Sequence, residues 1–292
     1  TISVATSAAM VLLCFGIFKY TGVVQPEPEL LVASVPVVKD SVPTLIFASG
    51  EKMDMTEYAV NKKVIDVVHV TARATDEASS VLNVYKVPRM FTGGLALPDS
   101  TIVYLNSDSE LSFPSRFSDS VRAVSVRGEA YFEVARNEDL PFNVDAGGCR
   151  FTVLGTKFDI QAYGGDENVM AVLMQGSLRC EMNDEVEIMV PGDRVVADKT
   201  SGLVKDRVNA EQYRSWIDGL LCYDKIELPV LLKRLSREFD VDIILNTHAF
   251  DKRTLHVSFS NDASLETILK AVSETVPITV TVSGKTYTID IK

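Results

Sequence analysis

The stretch "GEAYFEVARNEDLPFNVDAGGCRFTVLGTKFDIQAY", Gly128 to Tyr163, decides how this chain of 292 residues folds. In "EAYFEVA", Ala130, Phe132 and Val134 alternate with Glu129, Tyr131 and Glu133. In "KFDIQA", Phe158, Ile160 and Ala162 alternate with Lys157, Asp159 and Gln161. Successive side chains leave a pleated backbone on opposite sides, so a period of two predicts strands with one buried and one wet face. Between the two runs stands Gly155-Thr156. A glycine there supplies a bulge or a close backbone approach, and threonine suits a strand. The same pair offers an N-to-O acyl shift, in which the Thr156 hydroxyl attacks the Gly155 carbonyl and water cuts the resulting ester. That chemistry needs a strained peptide, donors for the oxyanion and an acceptor for the hydroxyl proton. The sequence supplies only the nucleophile, and a plain bend is the favoured reading.

Outward from this stretch, "GGLALPDSTIVYLNS", "NVMAVLMQGSLRCEM" and "VEIMVPGDRVVADK" are further short strands set between turn residues. They predict an all-β domain over 45–206, either a sandwich or a solenoid of stacked strands. A connector over 207–221 follows, and then the period changes. Leu228, Leu231, Leu232, Leu235 and Phe239 fall at helical spacing, with Pro229 in the first turn. "VDIIL" and "LHVSF" read as strands. Ser264 caps a second helix with the stripe Leu265, Ile268, Leu269 and Val272, ended by Pro277. "ITVTVSGKTYTIDI" closes as a hairpin about Ser283-Gly284. The order β-α-β-β-α-β-β predicts a small α+β domain over 222–292, two helices packed on a sheet.

The chain begins "TISVATSAAMVLLCFGIF", with no charge before Lys19. Eighteen residues at the helical rise extend about 27 Å, close to a hydrocarbon core of about 30 Å. A transmembrane helix over 1–20 is the expectation. A cleaved signal peptide lacks its small-x-small site, and a buried core helix is disfavoured by the polar segment that follows. Prolines 26, 28, 36 and 43 predict an extended linker over 21–44.

Composition narrows the function classes. With 29 Lys+Arg against 40 Asp+Glu the formal charge is −11, and no basic stripe interleaves with aromatics, so nucleic-acid binding is not expected. Cys14, Cys149, Cys180 and Cys222 form no CxxC, and His69, His248 and His256 stand alone, which argues against zinc or a redox centre. Cys149 and Cys180 lie on or beside strands; spacing leaves their pairing, and that of Cys222, open, with buried thiols favoured. "SGKT" at 283–286 has Thr279 where a phosphate loop needs glycine and reads as a turn. "GGDEN" at 164–168 lacks the ligand count of a calcium loop and reads as a solvated hairpin turn. Glu138/Asp139 and Asp184/Glu185 read as exposed turns, and no serine sits in a GxSxG elbow. No catalytic set, cofactor or metal site is expected.

The series "LALPDSTIVYLNSDSELSFPSRF", "VRGEAYFEVARNEDLPFNVDAGGCRFTVLGTKFDIQAY", "LMQGSLRC" and "VPGDRVV", over about residues 95–197, resembles the FecR family of transmembrane anti-sigma regulators in its Bacteroidota form. Ser100 and Tyr104 stand where Gly and Trp are common, without altering the strand pattern. The C-terminal α+β part is similar to the short N-terminal domain of secretins and TonB-dependent receptors. The resemblance implies a signalling protein and not an enzyme. It implies a cytoplasmic segment upstream of Thr1 that holds an extracytoplasmic-function sigma factor, and a single pass through the inner membrane. The periplasmic part then senses the signalling domain of an outer-membrane TonB-dependent transporter, and periplasmic and intramembrane proteases release the sigma factor. Some members cut themselves at a Gly-Thr pair, here Gly155-Thr156. The α+β domain is the expected partner-binding part, an exposed edge accepting a strand. A membrane-anchored periplasmic β-rich binding or scaffold protein, handling glycans or envelope assembly, is the second reading.

Overall fold

The computed structural model describes residues 42–59, 67–69, 82–198, 200–247, 252–260 and 262–292. The expected transmembrane helix and residues 21–41 of the linker lie outside the described residues. Among the described residues no helix is long and apolar enough to cross a membrane.

Strands β1 (Thr44–Ile46), β2 (Lys52–Asp54), β3 (Val67–His69), β4 (Asn83–Val87), β5 (Gly93–Ala96), β6 (Ile102–Leu105) and β7 (Ser109–Phe113) precede the long β8 (Arg122–Glu133). After it come β9 (Phe142–Ala146), β10 (Cys149–Val153), β11 (Lys157–Ala162) and β12 (Asn168–Gln175). β13 (Leu178–Met182), β14 (Glu185–Met189), β15 (Asp193–Asp198) and β16 (Gly202–Arg207) complete the region. β8 belongs to two sheets. Its first half pairs with β7 and β9, its second half with β6 and β11. The change falls at Gly128, whose φ of 102° only glycine adopts without strain. One leaf therefore runs β2-β1-β4-β7-β8-β9-β10-β13-β14 and the other β3-β5-β6-β8-β11-β12-β15-β16.

The leaves pack face to face, which is the sandwich and not the solenoid. Phe113, Phe142 and Phe151 of the first leaf meet Phe132, Phe158 and Ile160 of the second in one apolar cluster. Phe132 stacks on Phe158 at 5.0 Å between ring centroids, and Phe142 meets Phe132 edge-on at 6.2 Å. These are the inward residues of the alternation. The outward face departs from expectation, because Glu129, Tyr131 and Asp159 are buried as well. A later part of the chain folds back over the second leaf and covers them.

That later part starts with a 3-10 segment, Ala210–Asp218, closed by Gly219 with a φ of 76°. Then come β17 (Leu220–Glu227), α1 (Leu228–Phe239), β18 (Asp242–Leu245), β19 (Thr254–Ser260), α2 (Leu265–Thr275), β20 (Ile278–Ser283) and β21 (Thr286–Ile291). The order is the expected one, entered two residues early. Leu228, Leu231, Leu232 and Leu235 of α1 and Leu265, Ile268, Leu269 and Val272 of α2 form the core of this C-terminal lobe. The Ser264 hydroxyl accepts from the Thr267 N–H at 3.2 Å and caps α2. The expected single sheet is two. β19 pairs with β17, while β18, β21 and β20 form a separate three-stranded sheet. β20 and β21 turn on Gly284-Lys285, where Gly284 takes a φ of 61°. Both lobes belong to one compact unit.

Candidate functional site

Two places collect the side chains that chemistry or recognition requires. The first is the seam where the C-terminal lobe covers the second leaf of the sandwich. Pairing of β8 with β11 sets Glu129 opposite Gln161 and Tyr131 opposite Asp159, so these four share the outer face. The Gln161 amide donates to Glu129 Oε1 at 3.0 Å and to Asp159 Oδ2 at 3.3 Å. Asn106 donates to Glu129 Oε2 at 3.0 Å. From α1, Arg234 enters this face: its Nη1 lies 3.3 and 3.4 Å from the two Glu129 oxygens and donates to the Tyr223 hydroxyl at 2.9 Å, while Nη2 donates to Gln161. The guanidinium also lies over the Tyr223 ring at 4.7 Å. Only 7% of the Arg234 side chain and 1% of Glu129 are exposed, so both charges have left water.

Around this centre runs a second set of contacts. Arg237 covers the Tyr163 ring at 3.6 Å, and the Tyr163 hydroxyl donates to the Ser107 carbonyl at 3.0 Å. Lys233 and Arg237 reach Asp166 at 2.9 and 3.8 Å. The Met90 N–H donates to the Arg237 carbonyl at 3.1 Å, satisfying one orphan carbonyl at the end of α1. Trp216 and Ile217 of the 3-10 segment cover Tyr131 and complete the seam.

Burial disfavours the Arg234 charge, but Glu129, with Tyr223 and Tyr163, more than offsets it and holds the guanidinium protonated. At Asp159 burial dominates, reinforced by the Glu129 charge and only partly opposed by Arg234, so its carboxyl pKa rises well above the ordinary value. The Trp216 indole lies near enough to the Asp159 carboxyl to oppose that rise slightly, although among the described residues neither Asp159 Oδ1 nor the indole N–H makes a hydrogen bond of ordinary geometry. A raised carboxyl pKa means that the folded state keeps a proton that the unfolded chain gives up. Its contribution is complete below the unfolded pKa of about 3.9 and is lost as pH rises toward the folded value. Asp159→Asn should therefore gain stability over the parent as pH is raised from 4 to 8, read as thermal midpoints across that range. Midpoints that run parallel at every pH would show that Asp159 is ionised in the fold.

The second place is the crossover at Gly155-Thr156, between β10 in one leaf and β11 in the other. A Cβ on Gly155 would sit 2.8 Å from Arg136 Cα, so the residue is required by close packing. Gly176, at a φ of 94°, lies against the pair, and its own Cβ would stand 2.8 Å from Thr156 Oγ1. The flanking carbonyls are anchored: Asn137 N–H donates to Leu154 O at 2.7 Å and Val134 N–H to Thr156 O at 3.0 Å. Thr156 is buried, and its hydroxyl donates to the Ser177 carbonyl at 3.0 Å. Among the described residues no carboxylate, imidazole or amine hydrogen-bonds to that hydroxyl. A cleft of about 490 Å³, lined by Arg136, Glu138, Gly155, Thr156, Gly176 and Arg179, opens beside it.

The remaining sequence-marked residues stay apart from both places. Cys149 and Cys180 are buried free thiols on neighbouring strands, and the influence of each on the other lowers the Cys149 pKa and, with burial, raises that of Cys180. Cys222 is a free thiol in β17. "SGKT" forms the β20–β21 turn. "GGDEN" is a turn, but Asp166 is taken up by the cations of α1 and is less solvated than expected. No group of three or more metal-ligating side chains occurs among the described residues. Arg234, Tyr223, Tyr163 and Asn106 carry the seam and were not marked by any motif. The available signal was the cluster Lys233, Arg234 and Arg237 within two turns of one helix.

Residues 93–179 match the family described as FecR protein, and residues 220–289 match FecR, C-terminal, together more than half of the chain. The crystal structure of a proposed anti-sigma factor from Parabacteroides distasonis ATCC 8503 is similar, with a TM-score of 0.68 and 26% identity over 72% of this chain and 99% of that one. A second crystal structure with the same description and organism matches at a TM-score of 0.68 and 25% identity over the same shares. No curated protein matches the chain. One family match lies in the sandwich and the other in the C-terminal lobe, and the two lobes meet at the Glu129–Arg234 seam: this chain belongs to the FecR family.

Proposed function

We propose that this protein is an anti-sigma regulator that couples an outer-membrane TonB-dependent transporter to an extracytoplasmic-function sigma factor. In this reading the two lobes lie on the periplasmic side of the inner membrane. The sigma factor is held by a cytoplasmic segment upstream of Thr1 and is freed by proteolysis in the periplasm and within the membrane. The observation that carries the reading is the family match over both lobes, supported by the likeness to a proposed anti-sigma factor.

The C-terminal lobe is the transporter-binding part, and β20 is its receiving edge. Among the described residues β20 pairs only with β21, and its sequence "ITVTVS" carries no charge and no proline to blunt the edge. Pairing of Ser283 with Thr286 across a two-residue turn makes every second pair hydrogen-bonded, so the N–H groups of Val280 and Val282 point outward. Val282 is exposed. A partner strand would take its backbone bonds here. The full chain should capture the signalling domain of one host transporter in a pull-down. Val282→Pro removes one outward donor without touching the ladder to β21 and should weaken that capture by about tenfold. Binding of a polysaccharide, with no signalling domain captured, would overturn the assignment.

Gly155-Thr156 acts in this reading as an intact bend. The Thr156 hydroxyl gives its proton to a carbonyl, which is a poor base, and the peptides on either side of the pair are anchored by one backbone bond each. On a denaturing gel the parent should run as a single band, and Thr156→Ala should not change it. Two fragments that merge into one in the variant would establish self-cleavage.

A further inference from the structure

The apolar residues of the sandwich and those of the C-terminal lobe form separate clusters. What joins the lobes is mostly charge: Arg234 in the Glu129 site, Lys233 and Arg237 on Asp166, and Arg89 facing Asp242 at 3.8 Å. Among the described residues the apolar share of the seam is one small cluster, Trp216 and Ile217 packed with Tyr131, Tyr104 and Met174. A buried ion pair gives little net stability compared with apolar side chains of the same shape, because both ions were desolvated to form it; removing one partner is costly, because the other stays buried and unpaired. Such a seam is specific in register yet weak in net adhesion, and polar interfaces within a chain resemble those of transient complexes. The helix that enters is cationic on the face it presents, and the receiving sheet is acidic where that face lands.

We propose that the outer face of the second leaf is an acidic docking socket for a cationic helix, occupied by the Lys233-Arg234-Arg237 face of α1, and that the C-terminal lobe leaves and re-enters this socket as a folded unit. Docked, the lobe covers Glu129, Tyr131 and Asp159. Released, it lifts the 3-10 segment with it, exposes them and stays tethered by residues 208–209 between β16 and that segment. The inference is independent of which partner β20 receives.

Trp216 is the only tryptophan of the chain and lies in the seam at 8% exposure, so its fluorescence reports docking. The test uses the full chain and three variants, following acrylamide quenching of Trp216 beside far-UV circular dichroism. Glu129→Gln should shift the docking equilibrium by about a hundredfold or more toward release, raising quenching to that of an exposed indole while the far-UV spectrum is kept. Asp166→Asn leaves the buried pair in place and should raise quenching less. The double variant Glu129→Leu with Arg234→Met replaces charge by apolar contact and should return quenching to the parent value or below. Unchanged quenching in Glu129→Gln would overturn the socket. Loss of the far-UV spectrum together with the quenching change, in either single variant, would overturn release as a unit, since both lobes would then share one cooperative core.

Discussion

Gly128→Ala is expected to lower the unfolding free energy by about 3 kcal/mol or more. Two costs combine. At a φ of 102° an L side chain is strained whatever space surrounds it. The added Cβ would also stand 2.6 Å from Ser109 Cα and 2.3 Å from Ser109 Oγ. The backbone atom cannot rotate away, because β7 is paired with β8 through Glu110 and Arg127 immediately beside it. The hydroxyl is also committed, since it accepts the Glu129 N–H at 2.9 Å and thereby sets the first outward residue of the second leaf. Urea unfolding followed by far-UV circular dichroism measures the loss. A cost under about 1 kcal/mol would mean that β7 shifts freely and that β8 does not need glycine to change sheets.

Phe132→Ala should cost about 3–5 kcal/mol, and Phe132→Leu clearly less. The ring is fully buried, stacks on Phe158 and takes the edge of Phe142, so it ties β8 to β11 within one leaf and to β9 of the other. Alanine leaves a cavity between two sheets that are each held by their own ladders and cannot collapse onto it. The same denaturation series resolves the two substitutions. Equal losses for Ala and Leu would show that ring geometry, and not filled volume, sets the stability here.

Both effects depend on positions whose type was legible in the sequence and whose neighbours were not. The inward set Ala130, Phe132, Phe158 and Ile160 follows from alternation alone. The leucine stripe of α1, the Ser264 cap of α2 and the element order of the C-terminal lobe were equally readable, because each is a relation between residues a few places apart. The division of that lobe into two small sheets was not, since β19 had to choose between β17 and the β18–β21 pair, a choice between long-range partners of similar pattern. Gly155 was visible as a bend, whereas its contact with Arg136 and the hold of Ser177 on Thr156 come from strands in two leaves.

The outward residues of "EAYFEVA" and "KFDIQA" show where the division lies. From sequence, Glu129, Tyr131, Asp159 and Gln161 form a wet face, and for an isolated sandwich that reading is the physical one. The fold covers that face with a helix whose Arg234 stands 105 residues from Glu129. The sequence by itself determined the type of the elements it marked, their order in the C-terminal lobe and which face of each is apolar, because backbone geometry maps spacing onto faces. Only the tertiary structure decided that the second face of one leaf is buried too, because that burial depends on a distant lobe bringing the opposite charge, and no local period records a partner so far along the chain.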